Sequence, residues 1–108
     1  MRAEDKAVLQ ELQRNGDDLS SPREATLYFY RLKGDGRPGA ALFDSLVTEG
    51  REKGLKVRRR DEDALILEGN LRVDPEALAP LIGWAVEVAE TNQVEFDGWE
   101  CAVVRRKS

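Results

Sequence analysis

The chain repeats one order of elements twice, and this order limits the fold more than any other feature. A strand-like stretch over residues 25–32 is followed by a helical pattern ending near Gly54 and by an alternating stretch over residues 55–60. The second half repeats this order over residues 64–104. Two strand-helix-strand halves predict an α+β fold, a ferredoxin-like two-layer sandwich (βαββαβ) whose antiparallel sheet has the order 4-1-3-2 and carries both helices on one face.

A short helical pattern precedes the first half. Val8, Leu9 and Leu12 form a narrow apolar stripe, and Gly16 stands where a left-handed residue ends a helix. We therefore expect residues 1–16 to form an N-terminal helix appended to a single domain over residues 17–108. A chain of 108 residues that is 41% hydrophobic and 35% charged is typical of one such domain.

The composition excludes several kinds of chemistry. The sequence has no histidine, and its single cysteine, Cys101, can form neither an internal disulfide nor a tetrahedral zinc site. We therefore predict no catalytic, cofactor-binding or metal-binding residues and no enzyme activity. Charges throughout the N-terminal residues, and the lack of an apolar run of about 18 residues, predict a cytoplasmic protein without membrane contact.

Alternation along the strands separates two faces of the predicted sheet. Leu27 and Phe29 fall on one face, whereas Tyr28 and Tyr30 fall on the other. In the third strand, the polar positions are expected on the same face as the tyrosines. Because the helices cover only the opposite face, we predict a partner-binding surface formed by Tyr28, Tyr30, Glu68 and Arg72.

Other interpretations of this surface stay open. The tyrosines can instead pack on neighbouring long side chains or on the N-terminal helix. If that helix covers the face, the acidic run Asp61–Asp63 is the better contact site. An RNA-binding module that stacks bases on Tyr28 and Tyr30 is the alternative function. A formal net charge of -4 and the lack of aromatic residues in the third strand disfavour direct binding of nucleic acid.

The last strand changes its alternation at Asp97–Gly98. Val94 and Phe96 share one phase, whereas Trp99 lies in the other. If both sets face the helices, a β-bulge must take up one residue, and Gly98 adopts bulge conformations at the lowest cost. We therefore predict a bulge at Gly98 and a largely buried Trp99.

The same segment resembles a known family. Val94-Glu95-Phe96-Asp97-Gly98-Trp99-Glu100 is similar to the x-E-Y-D-G-W-E/G signature of the bacterial regulators of ribonuclease E activity B (RraB), with Phe96 in place of tyrosine. Residues 16–23, which end in Arg23, are similar to the opening of many shorter members. The resemblance extends from Gly16 to Val103.

The resemblance implies a ferredoxin-like fold and a non-catalytic regulator or adaptor. Such a protein binds a protein partner, a ribonuclease or its scaffold region, and inhibits or modulates that enzyme. Four residues of the two similar segments are expected to be structural: Arg23, Asp97, Gly98 and Trp99. The chain ends in Arg105-Arg106-Lys107-Ser108 and lacks the acidic tail of the best-known member, so the resemblance does not identify the partner or the oligomeric state.

Overall fold

The structure is a computed structural model that describes residues 3–102. Within this range the elements are α1 (Ala3–Arg14), β1 (Arg23–Arg31), α2 (Gly39–Glu52), β2 (Lys56–Arg60), β3 (Ala64–Leu71), α3 (Pro75–Asn92) and β4 (Val94–Cys101). The predicted last strand extended to Val104; Val103, Val104 and the basic residues 105–107 lie outside the described residues.

The four strands form one antiparallel sheet. Their order is β2-β3-β1-β4, which is 4-1-3-2 when it is read from the opposite edge. All three neighbouring pairs are antiparallel. The predicted α+β class with a four-stranded antiparallel sheet is therefore confirmed, and β1 lies in the middle of the sheet between β3 and β4.

One face of the sheet, called here the covered face, carries the core. Leu27 and Phe29 of β1 oppose Leu67 and Leu65 of β3, and all four are fully buried. The Phe29 ring meets the Trp84 ring of α3 edge-on, with centroids 6.3 Å apart. Gly50 of α2 lies so close to β3 that a Cβ atom added to it would be 3.0 Å from Leu67 Cδ1. Both long helices therefore contact this face.

The N-terminal helix also contacts the covered face. Trp99 opposes Leu27 across the β1–β4 pair, and its Nε1 donates a 2.9 Å hydrogen bond to Asp5 Oδ1 of α1. Leu9 and Leu12 are buried in the same core, whereas Val8 is exposed. The alternative in which this helix crosses the other face is thus wrong, and Val8 does not belong to the buried stripe.

The predicted bulge in β4 is confirmed. Phe96 opposes Phe29, but Gly98 opposes Tyr28, so Asp97 is the extra residue in β4. Gly98 has a φ of 120°, a conformation that side-chain-bearing residues rarely adopt. The bulge brings Phe96 and Trp99 to the covered face together, and Trp99 is buried as predicted.

Candidate functional site

The side of the sheet opposite the covered face is called here the open face. Directly opposed residues of neighbouring strands point to the same side, so the strand register assigns its residues. The row through Thr26 contains Lys56, Glu68, Thr26 and Glu100; the row through Tyr28 contains Arg59, Ile66, Tyr28 and Gly98; and the row through Tyr30 contains Ala64, Tyr30 and Glu95. Because all three helices of residues 3–102 contact the covered face, these rows face outward.

Tyr28 lies at the centre of the open face and is half-buried. Its hydroxyl donates a hydrogen bond to the Glu100 carboxylate of β4. This bond, together with partial burial and the charge of Glu100, raises the pKa of Tyr28 above its ordinary value of 10.0. The Tyr28 ring is therefore held in place from the β4 side, which lowers the entropy that a contact on it would cost.

Tyr30 and Ile66 complete an apolar centre around Tyr28. Ile66 opposes Tyr28 directly, and Tyr30 lies two residues further along β1. Both side chains are partly exposed. The structure thus places the two predicted tyrosines on one face, with an aliphatic side chain beside them that the sequence analysis had not assigned to the site.

Glu68 lies one row from Tyr28, as predicted, but it is only 14% exposed. Lys56 Nζ is 3.7 Å and Arg58 Nε is 4.0 Å from its carboxylate oxygens. Arg58 also lines a shallow pocket over Thr26 together with Glu100 of the far strand. Long charged side chains therefore cover the polar part of the open face. Glu68 is part of this charge network and is not a free carboxylate.

Arg72 lies apart from this group. Strand β3 ends at Leu71, so Arg72 is beyond the paired part of the sheet, and the expectation that it shares a strand face with Tyr28 is wrong. Its Nε and Nη2 donate hydrogen bonds of 2.9 and 2.8 Å to the Asp74 carboxylate, which raises the pKa of Arg72 and lowers that of Asp74. Asp74 begins α3 but uses its carboxylate on Arg72 and not as a helix cap.

Most exposed charges of the open face lie on its two edges, and between them Glu24 is exposed on β1 and Glu68 is partly buried on β3. Strand β2 contributes Lys56, Arg58 and Arg59, all exposed, whereas β4 contributes Glu95 and Glu100. The apolar centre lies between these edges. A molecule that lies across the strands would therefore meet cations, then aromatic rings, then carboxylates.

Arg23 is buried in a contact that ties three segments together. Its Nη1 is 2.6 Å from Asp17 Oδ2, and both side chains are almost fully buried. The same guanidinium donates to the carbonyl oxygens of Ser21, Asp18 and Ala102. The segment before β1 is thereby fixed against Ala102, which directly follows β4, the strand that contains the second segment of the family resemblance. Asp97, by contrast, is exposed in the bulge.

The acidic turn between β2 and β3 is occupied by contacts within the fold. Asp61 accepts hydrogen bonds from the Asp63 and Ala64 N–H groups, and the former is the main reason why its pKa is lowered. The Glu62 carboxylate accepts a 3.0 Å hydrogen bond from Gly39 N at the start of α2. Asp63 Oδ1 lies 3.0 Å from Arg31 Nε. These contacts make the turn a less suitable docking site than the open face.

Strand β2 contributes residues to the site that the sequence pattern does not indicate. Between Val57 and Arg59 the β2–β3 register shifts, so Arg58 is an extra residue and Arg59 opposes Ile66. The shift leaves no trace in the sequence pattern, because only arginines follow Val57 in β2 and no apolar residue after the shift shows a change of phase. The Arg23–Asp17 pair was missed for a different reason, since nothing in the spacing of two charged residues shows that both are buried.

Among residues 3–102, no group of three or more His, Cys, Asp and Glu side chains is arranged to hold a metal ion. No helix in the described range has the length and apolar character needed to cross a membrane.

Comparison with known protein families identifies the chain's relatives. A family model described as "Regulator of ribonuclease activity B" matches residues 2–101. The matched range includes α1, so the similarity begins nearer the N-terminus than Gly16, where the resemblance in the sequence started. A search of curated proteins finds no match.

Proposed function

The chain belongs to the RraB family of regulators of ribonuclease activity, and from this membership we propose that it acts by binding a protein partner, a ribonuclease or its scaffold region, through the open face. The bound regulator lowers or modulates the activity of that enzyme and catalyses no reaction itself. We also propose that the chain is located in the cytoplasm and that its sheet and helices form a ferredoxin-like two-layer sandwich.

The observation that carries this proposal is the apolar centre of the open face. Tyr28, Tyr30 and Ile66 are partly exposed on adjacent central strands, and no helix of the described chain covers them. Aromatic residues are enriched at the centres of protein interfaces, and charged residues at their rims. The open face has this distribution, since cations and carboxylates lie on its two edges.

Each residue has a distinct part in the proposal. Tyr28 and Tyr30 are the anchors, because their rings offer large contact areas at low conformational cost. Glu68 keeps Lys56 and Arg58 in position beside them. Arg72 is assigned only to the rim, since it lies beyond β3 and is paired with Asp74. Arg23, Gly98 and Trp99 support the sheet from within the fold, and Asp97 is the residue that the bulge accommodates.

RNA binding by the same face is less favoured. The two tyrosines lie on one strand, and β3 places Ile66 beside them where an RNA-binding sheet would offer further aromatic rings. Glu95 and Glu100 lie opposite Tyr30 and Thr26, so phosphate groups at the rings would meet negative charge.

Calorimetry on the purified chain and an endoribonuclease from the same cell, prepared with its scaffold region, tests the proposal. We expect wild-type chain to bind and to slow RNA cleavage. The Tyr28→Ala, Tyr30→Ala double variant should bind at least about tenfold more weakly while still unfolding cooperatively.

Val8→Ala is the control, because Val8 is an exposed apolar residue on α1, away from the open face. It should leave the affinity unchanged. Unchanged affinity in the double tyrosine variant would exclude the open face. Tight binding of short RNA by wild-type chain, without binding to the enzyme, would favour the RNA-binding alternative.

A further inference from the structure

The open face carries opposite charges on its two edges, and this arrangement is complementary to itself. On β2, the side chains of Lys56, Arg58 and Arg59 are 76%, 55% and 65% exposed. Lys56 and Arg58 lie near Glu68 and Arg59 is paired with Asp61, but each cation keeps more than half of its side chain exposed beside that contact. On β4, at the other edge, Glu95 and Glu100 are exposed. Tyr28, Tyr30 and Ile66 lie between the two edges.

We propose that the open face binds the open face of a second copy of this chain, with the two copies related by a two-fold axis parallel to the strands. Rotation about this axis exchanges the two edges of the sheet but keeps each residue at its height along the strands. The basic β2 edge of each copy therefore lies over the acidic β4 edge of the other. Such a contact is isologous and closes as a dimer.

The strand register brings particular residues together in this arrangement. Lys56 and Glu100 are the two ends of one row, so each Lys56 meets the Glu100 of the other copy. In the next row, Tyr28 of one copy lies over Ile66 of the other. Sheets packed face to face lie about 10 Å apart, a distance that side chains of this size fill from both sides.

Other ways of joining two copies are less suited to these charges. A two-fold axis across the strands would place β2 over β2, with Lys56, Arg58 and Arg59 against their own copies. Such juxtaposition of like charges disfavours this arrangement. Joining sheets edge to edge is opposed by the irregularities at Arg58 and Gly98, because each interrupts the row of hydrogen-bonding groups on an outer strand.

The dimer covers Tyr28 and Tyr30. If the proposed function is correct, self-association and binding of the ribonuclease partner exclude each other, and the concentration of free chain sets how much regulator is available. Only this consequence rests on the proposed function. The dimer itself is tested on the chain alone, so the two proposals fail separately.

Two charge-reversed variants test the dimer by analytical ultracentrifugation. The basic edge is reversed in Lys56→Glu, Arg59→Glu, and the acidic edge is reversed in Glu95→Lys, Glu100→Lys. Each variant alone should dimerise at least about tenfold more weakly than wild type, because like charges then face each other. An equimolar mixture should form a heterodimer, since one variant then has two acidic edges and the other two basic edges.

A control variant reverses charges away from the open face, with Arg51→Glu on α2 and Glu87→Lys on α3, and should dimerise like wild type. Wild-type dimerisation should also weaken when salt rises from about 0.05 M to about 0.5 M, a result that needs no variant. A wild-type chain that stays monomeric at about millimolar concentration would overturn the proposal. So would a mixture that fails to restore the dimer, or a control variant that weakens it equally.

Discussion

The two faces of the sheet are formed by the same strands, but different interactions act on them. On the covered face, Phe29 and Leu27 are buried against leucines of β3. They stabilise the fold because their apolar area is removed from water. On the open face, the alternate residues Tyr28 and Tyr30 lie among charged side chains that remain largely hydrated. Charge pairs at such exposed positions stabilise a fold by at most about 1 kcal/mol. The comparison teaches that stability and recognition can be changed separately in this sheet.

The strongest test of the comparison uses neighbouring aromatic residues of β1. Phe29→Ala leaves a cavity on the covered face and should lower the free energy of unfolding by about 3 to 5 kcal/mol. Tyr30→Ala removes a ring of similar size from the open face and should lower it by less than about 1.5 kcal/mol. Urea denaturation followed by circular dichroism measures both. Equal losses would mean that the open face is part of the core.

A substitution in the β4 bulge should have an intermediate effect on the free energy of unfolding. Gly98→Ala places a side chain at a φ of 120° and should lower the free energy of unfolding by about 1 to 3 kcal/mol. Gly83→Ala is the matched control, because Gly83 lies in α3 with open space around it and alanine favours helix. We expect this control to be neutral or stabilising by up to about 1 kcal/mol. If both variants lower the denaturation midpoint alike, the bulge carries no backbone strain.

The smallest expected effect on stability comes from loss of the hydrogen bond between Tyr28 and Glu100. Because the pKa of Tyr28 is raised in the folded chain, this bond is fully present below pH 10.0 and is lost as the pH rises through the raised value. Glu100→Gln should bring the ionisation of Tyr28 back toward 10.0 with little change in stability. The chain has two tyrosines, so a Tyr30→Phe background isolates Tyr28 in a phenolate absorbance titration.

The expected result is a lower titration midpoint in the Glu100→Gln variant than in its Tyr30→Phe parent. Identical midpoints would show that the carboxylate does not hold the hydroxyl in solution. The position of Tyr28 would then depend on packing alone.

The sequence pattern predicted a structural feature where that feature determines which apolar residues are buried. The bulge at Gly98 was predictable because Phe96 and Trp99 stand in opposite phases and a glycine lies between them. The shift at Arg58 was not, because the residues of β2 after Val57 are all arginines and none of them indicates which side of the strand is buried. Tyr28 and Tyr30 were placed on the open face by simple alternation. Arg72 was misplaced, since β3 ends one residue earlier and alternation says nothing about where pairing stops.

Contacts between distant segments were beyond the reach of the sequence patterns. The Arg23 guanidinium meets Asp17 nearby but also the Ala102 carbonyl at the far end of the described chain. The hydrogen bond from Trp99 to Asp5 likewise joins the last strand to α1. Both depend on how the elements pack and not on any local periodicity.

The central position of β1 has a consequence for how the chain folds as it is synthesised. Strand β1 is the first strand made, but one of its two neighbours is β4, the last strand of the described chain. Until β4 leaves the ribosome, the unpaired edge of β1 and its large side chains from Leu27 to Tyr30 are exposed to other nascent chains. Pairings between segments so far apart also close slowly. This sheet is therefore completed only after β4 has left the ribosome, when Phe96 and Trp99 reach Phe29 and Leu27.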